Sequence, residues 1–301
     1  MSAANQPAAG ETEEMQEFLA ALPSQHVEPL WSQMSMMVPP TPNPAAKAHI
    51  WKYEDTLPHL ESAGRLVPEE KAERRVLMLV NPNLKSPFTT DTIYAGLQLV
   101  NPGETAPAHR HIAFACRFIM DGDGFTAVEG KKMPLTRGDV VVTPVWHWHD
   151  HGNESDKPVI WLDLLNLPLF TYARVNFAEN YASPRYPSEL QDPCEWRHPW
   201  TKPLSEILAM QAESIDIGHA TEETRDAASF VYHCYEGEGR TEIESPSGEK
   251  SVFQWKARDT FAVPAWSKIK HFNESKAEKA YLVACHDGPF LDNLGLRKPV
   301  M

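Results

Sequence analysis

The chain has 301 residues, 42% of them hydrophobic, and carries 41 Asp and Glu against 28 Lys and Arg, a formal net charge of −13. That length suits one large domain or two ordinary ones with sizeable cores. So acidic a composition excludes nucleic acid and anionic membrane as partners, since both demand a basic face, and leaves small molecules as the expected ligands. Cys116, Cys194, Cys234 and Cys285 stand far apart with no CxxC pair. They fit a reducing, cytoplasmic setting better than a disulfide framework or a thiolate zinc site. The first basic residue is Lys47 and no apolar run approaches a membrane span, so neither a secretory leader nor a transmembrane segment is expected.

Residues 1–10 are small and polar and read as a disordered start, followed by a short helix over residues 12–22 with Thr12 as its cap. From His26 to about Arg65 the prolines crowd together, which predicts an extended arm packed on a domain surface, with docking or oligomer-forming duties. The whole arm takes in residues 1–70. Runs such as VLMLV, IYAGLQLV, AFACRFIM and VIWLDLL, separated by DGDG and EGKK turns, predict an antiparallel barrel over residues 71–170. Residues 171–215 read as a linker with a helix around residues 204–212. A second strand-rich block, residues 216–301, repeats the first weakly: EGEG lies on DGDG, Pro264 on Pro144, Trp266 on Trp146, His271 on His151 and Asn273 on Asn153. An internal duplication accounts for this.

Chemistry concentrates in GETAPAHRHIAFACRF (residues 103–118) and GDVVVTPVWHWHDHGN (residues 138–153). An i, i+2 histidine pair on a strand shares one face, so His109 and His111 can be joined by an imidazole from another strand. His147, His149 and His151 compete for that place, and the spacing from Pro144 selects His149. His151 then lies one step along the same face, within reach for proton transfer, while His147 stays ambiguous. The same alignment sets Thr224, Asp226 and Ile269 opposite the three ligands, so the second block has lost its metal site. The glycine, histidine and proline spacing resembles the two cupin motifs. The expected fold is therefore all-β, a bicupin of two tandem cupin (double-stranded β-helix, jelly-roll) barrels, with short helices in the arm and linker. Where cupins usually carry a glutamate ligand stand Ala115 and Cys116. Three neutral imidazoles leave the metal its full charge and, in six-coordinate iron, three adjacent open positions for a bidentate anion and dioxygen. Zinc with one water suits the same ligands.

APAHRH, WHDHGN and WLD, within a dense match over about residues 28–170, resemble the gentisate 1,2-dioxygenase family, whose relatives cleave salicylate and 1-hydroxy-2-naphthoate. The resemblance implies a cytoplasmic, homotetrameric Fe(II) enzyme acting on an aromatic acid and O2. It would open gentisate between the carboxyl-bearing and hydroxyl-bearing carbons to maleylpyruvate. A salicylate- or hydroxynaphthoate-cleaving member is the alternative, and so is a bicupin that binds aromatic acids without turnover. It further implies that Arg117 meets the substrate carboxylate through paired charge-assisted bonds, and that Gln98, Trp161 and Tyr94 line the pocket. Asp163 would accept a distal ring hydroxyl and His151 would shuttle a proton. One of Arg74 and Arg75 should also face the substrate, and Arg75 is the favoured one.

Overall fold

The computed structural model describes residues 12–72, 74–199, 204–205 and 208–297; the start expected to be disordered lies outside them. Two units result, one ending at Asn43 and one beginning at Pro44. In the first, helix α1 (Glu13–Ala21) begins where expected, and Thr12 Oγ1 accepts from the Met15 N–H at 3.3 Å. A second helix, α2 (Leu30–Met37), occupies part of the stretch expected to be extended. The reason is positional: Pro29 is its N-cap and Pro39 and Pro40 follow it, so the nine residues between are free of proline. Its apolar side chains are exposed, Trp31 at 66% and Met36 at 71%.

The second unit opens with β1 (His49–Trp51), α3 (Tyr53–Leu66) and α4 (Glu69–Ala72). Here too the extended reading is corrected, because a single Pro58 inside α3 does not stop a fourteen-residue helix. The first barrel follows as β2 (Val76–Met78), β3 (Tyr94–Val100), β4 (Thr105–His111), β5 (Ala115–Asp121), β6 (Gly124–Val128), β7 (Lys131–Leu135), β8 (Asp139–Thr143), β9 (His149–Gly152) and β10 (Val159–Leu165). After α5 (Leu167–Ala173) come the short edge strands β11 (Ala178–Asn180), β12 (Glu189–Leu190) and β13 (Arg197–Pro199). They complete two six-stranded sheets, ordered β13-β8-β5-β10-β3-β2 and β11-β4-β9-β6-β7-β12.

None of the described residues within 204–212 is helical. They contribute β14 (Leu204–Ser205) and most of β15 (Ala209–Ile215), and β15 pairs along its whole length with β22 (Ala280–His286). Sheet pairing overrides the modest helix preference of this segment. The second barrel adds β16 (Thr224–Arg225), β17 (Phe230–Glu236), β18 (Glu238–Glu244), β19 (Lys250–Lys256), β20 (Thr260–Val263), β21 (Lys268–Asn273) and the closing helix α6 (Gly288–Asn293). Its larger sheet, β1-β20-β17-β22-β15-β14, therefore takes strands from stretches assigned by sequence to the arm and the linker.

The duplication is visible in register. His109 pairs with His149, and Thr224 with Ile269. Trp146 and Trp266 both adopt a left-handed conformation, and their N–H groups donate to His111 O at 2.9 Å and Asp226 O at 2.7 Å. Thr126 Oγ1 meets His151 Nδ1 at 2.8 Å, as Thr241 Oγ1 meets His271 Nδ1 at 2.7 Å. Alternation along β3, β5 and β10 turns Gln98, Arg117, Trp161 and Asp163 to one face and Leu97, Leu99, Phe118, Leu162 and Leu164 to the other. That apolar face shares a core with Met210, Val231, Val283 and Cys285, so the β13-β8-β5-β10-β3-β2 sheet of the first barrel packs back to back with the larger sheet of the second. Phe118 there touches the rings of His233 and Tyr235.

Burial makes the fold acid-sensitive. It pushes His233 down to about 3, and His271 and His286 to about 4, from an ordinary 6.5. Between those values the unfolded chain binds more protons than the folded one, so stability is lost as pH falls. Asp287, raised by burial to about 6, acts with the opposite sign, as do Asp150, Asp163 and Glu213, but the buried histidines, with His109, His111, His149 and His151 lowered as well, outnumber them. The melting temperature of the metal-free protein should fall steadily from pH 7 to pH 4, each pH unit of separation being worth about 1.4 kcal/mol per group. A flat or rising profile would contradict this account.

Candidate active site

Strands β4 and β9 bring the three expected ligands together. His109 and His111 share one face of β4, while Arg110 points away, stacking between Trp146 and Trp148 with its Cζ 4.5 and 4.4 Å from the ring centroids. With His149 from β9 they form one group whose candidate ligand atoms lie within 4.8 Å of one another. Backbone carbonyls fix two of the rings. His111 Nδ1 donates to Ala113 O at 2.7 Å and His149 Nδ1 to His147 O at 2.8 Å, which leaves each Nε2 a free lone pair. His149 Nε2 is buried with no hydrogen-bond partner. Burial first, then neighbouring positive charge, holds all three imidazoles below their ordinary pKa, His111 at about 4. They are thus in the neutral state that coordinates metal, and this group could hold a divalent ion.

Around it stands a polar wall from β3, β5 and β10. Asp163 lies opposite Arg117, and Trp161 opposite Gln98. Arg117 is 3% exposed, its Nε 2.8 Å from Asp163 Oδ1 and its Nη1 donating to Thr143 Oγ1 at 2.8 Å. Burial raises the Asp163 carboxyl and Arg117 pulls it back. Gln98 Nε2 and His151 Nε2 are buried without partners. The His151 ring stands 5.6 Å from that of His149 and 5.4 Å from that of Trp161. Tyr94 packs over Gly96, where a Cβ would come within 2.7 Å of the phenol oxygen. Burial and the nearby Asp163 keep that phenol protonated.

Two sequence expectations change. His147 offers its carbonyl to His149 while its own Nδ1 meets Val145 O at 2.9 Å, outside the histidine group. Arg75, the favoured substrate-facing arginine, is turned away: both Nη atoms hold Glu104, at 2.6 and 2.9 Å, and Nη2 also donates to Val67 O. Arg74 is the one at the histidines, donating to Pro107 O at 2.7 Å and lying against His109 Nδ1. Neighbouring residues on extended backbone point to opposite sides, so choosing the wrong neighbour reverses the assignment. Thr143 joins the wall as well, and its lone hydroxyl within the apolar run DVVVT is the signal that marks it.

Fold and site together define a bicupin of the metal-dependent ring-cleaving dioxygenase class. Residues 96–165 match the Cupin domain family. Along 92% of its length the chain is 37% identical to gentisate 1,2 dioxygenase 1 of Aquipseudomonas alcaligenes, covering 94% of that protein. It is 30% identical over 90% of its length to a 5-aminosalicylate 1,2-dioxygenase of a Comamonas species, covering 86% of it. The chain belongs to the gentisate 1,2-dioxygenase family. In fold it superposes on salicylate 1,2-dioxygenase of Pseudoaminobacter salicylatoxidans, solved with gentisate, at a TM-score of 0.85 and 24% identity, covering 98% of this chain and 95% of that one.

Proposed function

We propose that the protein is an Fe(II)-dependent dioxygenase that opens gentisate (2,5-dihydroxybenzoate) between C1 and C2 with O2, yielding maleylpyruvate. The observation that carries this reading is the buried three-histidine group, with His149 Nε2 unpartnered, facing a wall that bears Arg117. Three neutral ligands suit a ferrous ion, which would supply the redox chemistry with dioxygen. Arg117 and Arg74 bind the carboxylate and fix the ring's orientation. Gln98, Tyr94 and Trp161 line the ring. Asp163 accepts the distal ring hydroxyl, and His151 Nε2 holds the proton that moves during ring opening.

Oxygen uptake by the Fe(II)-loaded protein, measured with gentisate, salicylate and 1-hydroxy-2-naphthoate, tests the reading, with gentisate expected to be consumed fastest. No uptake with any of the three would overturn it. A 5-aminosalicylate- or salicylate-cleaving specificity is the second reading, supported by the Comamonas relative's name. The protein works in the cytoplasm as a homotetramer. The exposed apolar side chains of α2 support an oligomer-forming arm, so light scattering should register a smaller assembly once residues 1–43 are removed.

A further inference from the structure

The Arg117 guanidinium is met on two sides: Nε lies 2.8 Å from Asp163 Oδ1 as a charge contact without hydrogen-bond alignment, and Nη1 donates to Thr143 Oγ1 at 2.8 Å. All three residues are buried, at 3%, 5% and 0% exposure. The second barrel is an internal control for what such contacts serve. Tyr232 lies opposite Ala284 as Arg117 lies opposite Asp163, and Phe230 opposite Val263 as Ala115 opposite Thr143. Where the three histidines are gone, arginine, aspartate and threonine have become tyrosine, alanine and valine together. By contrast, the Thr126–His151 pair survives as Thr241–His271. That contact, made through Nδ1, is common to both barrels and leaves His151 Nε2 free for its own role, whereas the Arg117 trio changes with the chemistry.

We propose that Thr143 is a positioning residue that, together with Asp163, aims Arg117 at the substrate and sets the site's preference for aromatic carboxylates. This rests on the reading of Arg117 as the carboxylate anchor. A guanidinium has five N–H donors in one plane. Met by Asp163 at Nε alone, it could pivot about that contact and turn its Nη groups away from the cavity. Thr143 Oγ1 anchors Nη1 on the wall side, so the guanidinium cannot swing about its contact with Asp163. The remaining Nη donors are then fixed in direction and available to an incoming carboxylate.

Calorimetric titration of benzoate into the metal-free, full-length protein tests this, alongside steady-state kinetics of the Fe(II)-loaded enzyme. Thr143→Val, nearly isosteric, should weaken benzoate about tenfold. KM should rise by a similar factor with kcat nearly unchanged, the mark of lost uniform binding. Thr143→Ser should restore both, and Arg117→Met should abolish benzoate binding. Wild-type affinity in Thr143→Val, with Arg117→Met defective, overturns the inference alone. So does failure of Thr143→Ser to rescue, which would mark a packing role. Wild-type affinity in Arg117→Met overturns the anchor reading and the inference with it.

Discussion

A His149→Ala variant should purify with about a tenth or less of the wild-type metal content and lose ring cleavage by on the order of a thousandfold. Removing partners behind a ligand already costs about 10- to 100-fold in metal affinity, and here the ligand itself goes. His149 is the most informative of the three because its geometry leaves no second use for the side chain. Its Nδ1 is committed to the His147 carbonyl and its Nε2 has no protein partner. It is also fully buried, so exogenous imidazole should not rescue the variant. Elemental analysis by mass spectrometry, combined with an oxygen electrode, reads both quantities. Metal content unchanged from wild type would mean that the ion is held elsewhere.

Arg74→Ala and Arg75→Ala should fail in different ways. Arg74 reaches the histidine group, so its loss should lower kcat/KM about 10- to 100-fold, as expected for one charge-assisted contact to an anion, with little change in melting temperature. Arg75 is 5% exposed and grips Glu104, 20% exposed, with two bonds. Its loss leaves a carboxylate without its partner, costing about 2–4 kcal/mol once the exposure of Glu104 is discounted. In a chain of this size that lowers the melting temperature by roughly 3–6 °C. Kinetics below that temperature should be near wild type. An Arg75→Ala enzyme that melts normally but turns over slowly would reverse the assignment.

Period-two alternation and proline spacing made much of this site legible in advance. They selected His149 from three neighbours, and they set Thr224, Asp226 and Ile269 opposite the ligands in the order the strands adopt. Long-range partners were less legible. Residues 204–212 carry a plausible helix pattern, yet residues 209–212 lie in a sheet because β22 is available to pair with them. The short strand at His49–Trp51 borrows its hydrogen bonds from Thr260–Val263, more than 200 residues away, and nothing local announces it. The arginine error has the same origin, since the choice between Arg74 and Arg75 depends on Glu104 and Pro107, which lie beyond any local pattern.

The strands that carry Gln98, Arg117 and Asp163 turn their reverse sides into the layer shared with Val231, Val283 and Cys285. A fragment ending after α5 would therefore expose Leu97, Phe118 and Leu162 across a continuous greasy plane, a surface large enough to drive association or aggregation. A single barrel of this kind would have to hide that plane against a twin, and here the second barrel is the twin, covering the plane whatever its own interior holds.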